Sequence, residues 1–177
     1  MKKLYLIIAV LLSVILPVCG CKEDVEYDVT ECAFTSFTAE DFEGEIIDES
    51  IFAEYEITMI NVWGTYCSPC KREIPALVEL SEEYEGRVQV MGIPVDLNNT
   101  GSAEARTIMA EWGITYKNIK ISNSIKSFVD GISLIPYTIF INSEGYQLGG
   151  AYVGANSKKE WKKIVENMLD FVNSRSN

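Results

Sequence analysis

One junction constrains this chain more than any other. Residues 57–63, "ITMINVW", run directly into residues 64–70, "GTYCSPC". Seven residues, all but Asn61 β-branched or apolar, bounded by Gly64, read as a strand buried on both faces of a sheet. The spacing predicts a helix from about Ser68 to Tyr84, with Pro69 in its first turn, where a missing N–H costs nothing, and Gly86 just past its end. Its packed side is predicted to carry Ile74, Leu77, Val78 and Ser81. Val88 to Val95 is a second buried strand. Strand, helix and strand in that order form a parallel crossover unit, with Cys67 and Cys70 at the strand-to-helix turn.

Around this unit the pattern continues as α/β. Thr35 to Ile47 suggests short strands about a turn at Glu43-Gly44, and Asp48 to Tyr55 one helical turn. A loop over Asn98 to Gly101 leads to a helix from Ser102 to Trp112, stopped by Gly113. Lys117 to Ile121 alternates like an extra strand, and Ser124 to Val129 reads as a short helix. Tyr137 to Ile141 and Tyr146 to Gly149 flank "NSEG", a hairpin signature. The last helix begins at Ser157, with Glu160 completing a capping box. Its apolar stripe is Trp161, Ile164, Val165, Met168, Leu169 and Val172.

Composition removes several chemistries. At 177 residues the chain suits one domain, and it contains no histidine. Ser-His-Asp hydrolysis, Cys-His proteolysis, His-ligated zinc and c-type haem attachment each need an imidazole. A net charge of −11 disfavours nucleic acid as a partner. Lys2 and Lys3 followed by the apolar stretch Leu4 to Val18 form a secretory leader layout, and "VCGC" at residues 18–21 resembles the lipobox of bacterial lipoproteins. That resemblance implies cleavage after Gly20 and lipidation of Cys21, so residues 1–20 are expected to be a signal peptide. Ordinary signal-peptidase cleavage is the alternative. Loss of the leader would take the charge from −11 to −13. Between Glu23 and Glu56 lie 13 acids and no Lys or Arg, and residues 21–34 read as an acidic tether ahead of a domain at 35–174.

Of five cysteines, Cys19 leaves with the leader and Cys21 is the lipidation site. Cys67 and Cys70 pair by spacing, and Cys32 is left as an unpaired thiol without a catalytic role. One close pair in an exported chain reads as a redox dithiol; a structural disulfide or half a zinc site is the plainer alternative. At a helix N-terminus, free N–H groups and the dipole stabilise a Cys67 thiolate. Cys67 would attack a partner's disulfide and Cys70 resolve the mixed disulfide. No metal or organic cofactor is needed for that.

"VWGTYCSPCKREIPAL" resembles the active-site segment of thioredoxin-fold proteins, specifically the TlpA/ResA branch of extracytoplasmic thiol-disulfide oxidoreductases. The resemblance covers about residues 35 to 172. It implies a central mixed β-sheet flanked by helices, N-terminal strands of the TlpA type, and a central β/α insertion over Asn98 to Val129. It also implies that Trp63 and the cis Ile135-Pro136 bond of "GISLIPYTIFINSEG" bind substrate opposite Cys67, and that Pro75 kinks the first helix. Glu73 matches the branch's CxPCxxExP pattern. It is either a partly buried acid passing protons to the cysteines or an exposed carboxylate paired with Lys or Arg. Asn61 stands where thioredoxin has Asp, and Tyr137 departs from the Thr that many relatives carry beside the groove.

The resemblance implies a reductant of disulfides in exported proteins, recharged by a CcdA/DsbD-type membrane thiol transporter. Apocytochrome c and methionine sulfoxide reductase are the partners it suggests. A disulfide-forming oxidant, a redox-inactive binding lipoprotein and a metal carrier are the competing classes. Peroxidase chemistry is disfavoured because "PxxxTxxC" is not met: Thr65 lies only two residues before Cys67.

Overall fold

The computed structural model describes residues 25–175. The leader, Cys19 and Cys21 lie outside the described residues. Eight strands and four α-helices follow one another as β1 (Val29–Thr30), β2 (Thr38–Glu40), β3 (Ile46–Asp48), a 3-10 turn (Glu49–Glu54), β4 (Ile57–Trp63), α1 (Ser68–Glu83), β5 (Val88–Pro94), α2 (Ser102–Glu111), β6 (Lys117–Asn118), α3 (Asn123–Asp130), β7 (Tyr137–Asn142), β8 (Gln147–Val153) and α4 (Lys158–Arg175).

Six strands form one mixed sheet in the order β1-β8-β7-β4-β5-β6, and β2 and β3 form a separate hairpin. β4 runs parallel to β5 and antiparallel to β7, so the strand that delivers Cys67 is central. Every residue of β4 and β5 is buried. Strand alternation splits β4 between two cores. Ile57 and Met59 pack with Leu77, Leu80, Trp161, Val165 and Met168 of α1 and α4. Ile60 and Val62 face the other way, toward Phe34, Phe37 and Phe52 and toward Ile125 and Val129 of α3.

Three expectations are corrected. The acidic tether does not reach residue 34. Val29 and Thr30 pair with β8, Tyr27 packs edge-on against Phe171, and Phe34 is fully buried. Apolar residues interleaved with the acids have enough area to dock, so the domain starts near Tyr27. On α1 the buried face is Cys70, Glu73, Ile74, Leu77 and Leu80, with Val78 and Ser81 only half-buried. β6 has two residues rather than five; beyond it Ile119 donates its N–H to the Gly92 carbonyl at 3.0 Å and forms an isolated bridge to Asp41. The capping box at α4 forms as expected: Ser157 N–H donates to Glu160 Oε2 at 2.8 Å and Glu160 N–H to Ser157 Oγ at 3.3 Å.

Candidate active site

β4 ends at Trp63, and one turn later Cys67 caps the N-terminus of α1. The Cys70 N–H donates to Cys67 Sγ at 3.2 Å. The turn is closed by Cys67 N–H to the Gly64 carbonyl at 3.0 Å. Cys67 and Cys70 form a disulfide with Cα atoms 5.3 Å apart. The helix runs on through Pro75 to Glu83. Cys67 is 6% exposed and Cys70 1%, so the first sulfur is the one a partner reaches.

Opposite the disulfide lies the loop before β7. Its Ile135-Pro136 bond is cis, and the Ile135 carbonyl oxygen is 3.6 Å from Cys67 Sγ. Tyr66 and Leu134 stand exposed on either side, at 72% and 68%. Together with Val95, Ile121, Val129 and Ile135 they line an open groove of about 330 Å³. Tyr137 does not narrow this groove as its bulk suggests. Its ring packs edge-on against Phe128 of α3, with centroids 6.0 Å apart.

Trp63, expected among the substrate contacts, is fully buried. Its Nε1–H donates to Asn118 Oδ1 at 2.9 Å and its ring packs on Trp112, so it forms the floor beneath the sulfurs. The Asn118 carboxamide fits only because Gly92 has no side chain. A Cβ there would sit 1.9 Å from Asn118 Oδ1. Neither Asn118 nor Gly92 was singled out from sequence; a glycine inside a buried strand, a mark of close approach, was the available signal.

Glu73 is buried, at 2% exposure, which removes the surface ion-pair reading. Its Oε1 accepts from Asn156 N–H and Trp161 Nε1–H, both at 2.8 Å, and its Oε2 from Asn61 Nδ2 at 3.3 Å. Asn61 also donates to Thr138 Oγ1 at 3.0 Å. Burial pushes the Glu73 carboxyl above its ordinary range, and the three donors offset this only in part. One acid thus links β4, α1 and the start of α4. Cys32 is free and half-buried, its Sγ 3.7 Å from the Gly145 carbonyl oxygen in the β7–β8 turn.

A dithiol at the N-terminus of the first long helix, facing a cis-prolyl loop across a mixed sheet of this order, defines a thioredoxin-like thiol-disulfide protein. Comparison with known proteins agrees. The model of the AhpC/TSA family matches residues 30–160. The thiol-disulfide oxidoreductase ResA of Halalkalibacterium halodurans is 34% identical over 134 residues, which are 74% of this chain and 72% of that one. Among solved structures, StoA from Bacillus subtilis superimposes with a TM-score of 0.57 at 20% identity, covering 72% of this chain and 93% of that one. A thioredoxin-family thiol:disulfide interchange protein from Chlorobium tepidum gives 0.62 at 25% identity, covering 82% and 99%. The chain belongs to the AhpC/TSA family of thioredoxin-like proteins, on its ResA-like side, and is a thiol-disulfide oxidoreductase.

Proposed function

We propose that this enzyme reduces disulfides of exported proteins outside the cytoplasmic membrane, tethered there through a lipid on Cys21. The observation that carries the reading is the Cys67–Cys70 pair at the α1 N-terminus, its outer sulfur beside the Ile135 carbonyl and an open groove of mixed polar and apolar lining. In the reduced enzyme Cys67 thiolate attacks one sulfur of a substrate disulfide, forming a mixed disulfide and expelling the other sulfur as a thiolate. Cys70, as thiolate, then attacks Cys67 Sγ; the Cys67–Cys70 bond forms, the mixed disulfide breaks, and the second substrate thiolate leaves. Two electrons pass to the substrate, and two protons finish on its thiols. The Cys70 N–H aimed at Cys67 Sγ supports a negative sulfur there.

Glu73 is the proposed proton reservoir for these steps, and Ile135 and Pro136 the proposed substrate contacts. The sulfurs carry the electrons, so no cofactor is invoked. A CcdA/DsbD-type thiol transporter would return the enzyme to its dithiol form, and apocytochrome c or methionine sulfoxide reductase are the proposed substrates. Peroxide turnover is disfavoured by the surroundings of Cys67: the Thr65 hydroxyl is bound to Asp96 and the Asn61 amide to Glu73 and Thr138, neither to the sulfur.

The test is the reduction potential of the couple, by equilibration with reference dithiols. A value near −270 mV supports a reductant. One near −120 mV makes the enzyme an oxidant instead.

A further inference from the structure

The turn that carries Cys67 is held from outside by one carboxylate. Thr65 lies two residues before Cys67, and its backbone N–H donates to both oxygens of Asp96, at 3.0 and 3.1 Å, while its hydroxyl donates to Asp96 Oδ2. Asp96 is brought there by the sheet. Val95 N–H bonds the Trp63 carbonyl at 2.8 Å, which carries the β4–β5 pairing past Pro94 and lays the following residue against the turn. The same crossing is tight at Gly64, where an added Cβ would meet Tyr66, Ile135 and Val95 within 3.2 Å. Asp96 is exposed, makes no part of the core, and has no role in the exchange described above.

We propose that Asp96 is a positioning residue for the redox centre: it clamps Thr65, and so fixes a negative charge on the rim beside Cys67 that disfavours the thiolate and biases the couple toward giving electrons away. The inference rests on Cys67 being the attacking sulfur.

The charged groups on the surrounding elements are accounted for. On α1, Lys71 lies over the Trp112 ring, Arg72 is exposed, and Glu73 is buried among its three donors. Beside Phe42, Asp41 is paired with Lys117; from α2, Arg106 bonds the Phe42 carbonyl. At the end of α3, Asp130, which lines the groove, is paired with Lys126. Among the described residues only Asp96 contributes a side-chain hydrogen bond to the turn from Gly64 to Tyr66.

The consequence follows from linkage. A fixed negative charge near a thiol favours its neutral form. Stabilising the thiolate stabilises the reduced enzyme and makes it a stronger oxidant, so removing the charge should move the couple that way.

The experiment is site-resolved alkylation of the fully reduced protein by iodoacetamide across pH, for wild type, Asp96→Asn and Thr65→Ala. Asparagine keeps an acceptor for Thr65 but loses the charge; alanine loses the hydroxyl but leaves the charge. In Asp96→Asn the Cys67 midpoint should fall by about 0.4 pH unit, on the order of the effect of one exposed charge in a water-like dielectric. Above that midpoint the equilibrium constant with a reference dithiol should move about 2.5-fold toward the reduced enzyme, about 12 mV. The difference should shrink in about 1 M salt, where the screening length is only about 3 Å. Thr65→Ala should move the midpoint by less than half as much. An unmoved or raised midpoint in Asp96→Asn overturns the inference, as does an equal fall in both variants. If Cys70 rather than Cys67 is alkylated throughout, the functional reading itself fails, and the inference with it.

Discussion

Replacing Glu73 separates its two contributions, as an acceptor and as a buried charge. In Glu73→Ala the donors Asn156 N–H, Trp161 Nε1–H and Asn61 Nδ2 lose their acceptor inside the core. An unpaired buried donor costs about 1–3 kcal/mol, so three cost roughly 3–6 kcal/mol after some relaxation. That is a large part of an ordinary domain's stability of about 5–15 kcal/mol. Glu73→Gln behaves differently. Its Oε1 keeps the Asn156 and Trp161 bonds, and its amide meets Asn61, which can turn its unpartnered Oδ1 to accept, the Thr138 hydroxyl then donating to Oδ1 where it now accepts from Nδ2. The net hydrogen-bond change is then close to zero, and a desolvated charge is removed. Its expected cost at pH 7 is below about 1 kcal/mol, or it stabilises.

The pH dependence has a definite sign. Because the native carboxyl is raised above the ordinary value of 4.5, the folded state holds this proton more tightly than the unfolded chain. Stability from protonated Glu73 is therefore complete below the ordinary value and is lost as pH rises through the native one. The Gln variant should gain on wild type across that window. Urea unfolding of the oxidised protein between pH 4 and 8, followed by far-UV circular dichroism, measures both effects. The reasoning is refuted if Glu73→Ala lies within about 1 kcal/mol of wild type, or if wild type gains on Gln as pH rises. The same Gln variant tests the proton role: if the pH dependence of thiol exchange is unchanged, Glu73 is only structural.

Two further outcomes follow from packing. Gly92→Ala drives a Cβ to within 1.9 Å of Asn118 Oδ1 and 2.7 Å of its Cγ, and should cost roughly 2–4 kcal/mol through overpacking and the lost Trp63–Asn118 bond, read by urea unfolding with tryptophan fluorescence as the local probe. Phe34→Ala should cost about 3–5 kcal/mol, and a chain beginning at Thr35 at least as much, although a solvated tether could be cut away at no cost; thermal unfolding of both proteins decides.

The parts of this structure legible in the sequence are those in which one local signal suffices. The buried strands at 57–63 and 88–94 are largely apolar runs, α4 begins at a reciprocal cap, and Cys67 stands at a strand-to-helix junction. What escaped depends on crossings between distant segments. Asp96 and Asn118 reach the site through sheet pairing, over 31 and 55 residues of chain from their partners, and nothing local marks them. The tether was misread for another reason. Its charges are sequential, but Tyr27 packs on Phe171 and Phe34 is fully buried. Trp63 could have been placed correctly, since it shares alternation with Met59 and Asn61 in a strand buried on both faces.

The missing histidines bear on how such a site handles protons. An exchange that expels thiolates can be assisted by a group whose protonation changes within the working range, and imidazole is the side chain whose ordinary pKa lies there. Two titratable side chains other than the cysteines meet in the core behind the disulfide. Burial, and secondarily the nearby Glu73 charge, push the Tyr116 hydroxyl far above its ordinary value, so it stays neutral. The same loss of water raises the Glu73 carboxyl above its ordinary value. The two groups start on opposite sides of neutrality, and desolvation moves both in one direction. It therefore moves the phenol away from neutrality and the acid toward it. On the proposed reading, a desolvated carboxyl held by three neutral donors takes the place of histidine, and any variant that places a cation beside Glu73 should remove that capacity even where the fold tolerates it.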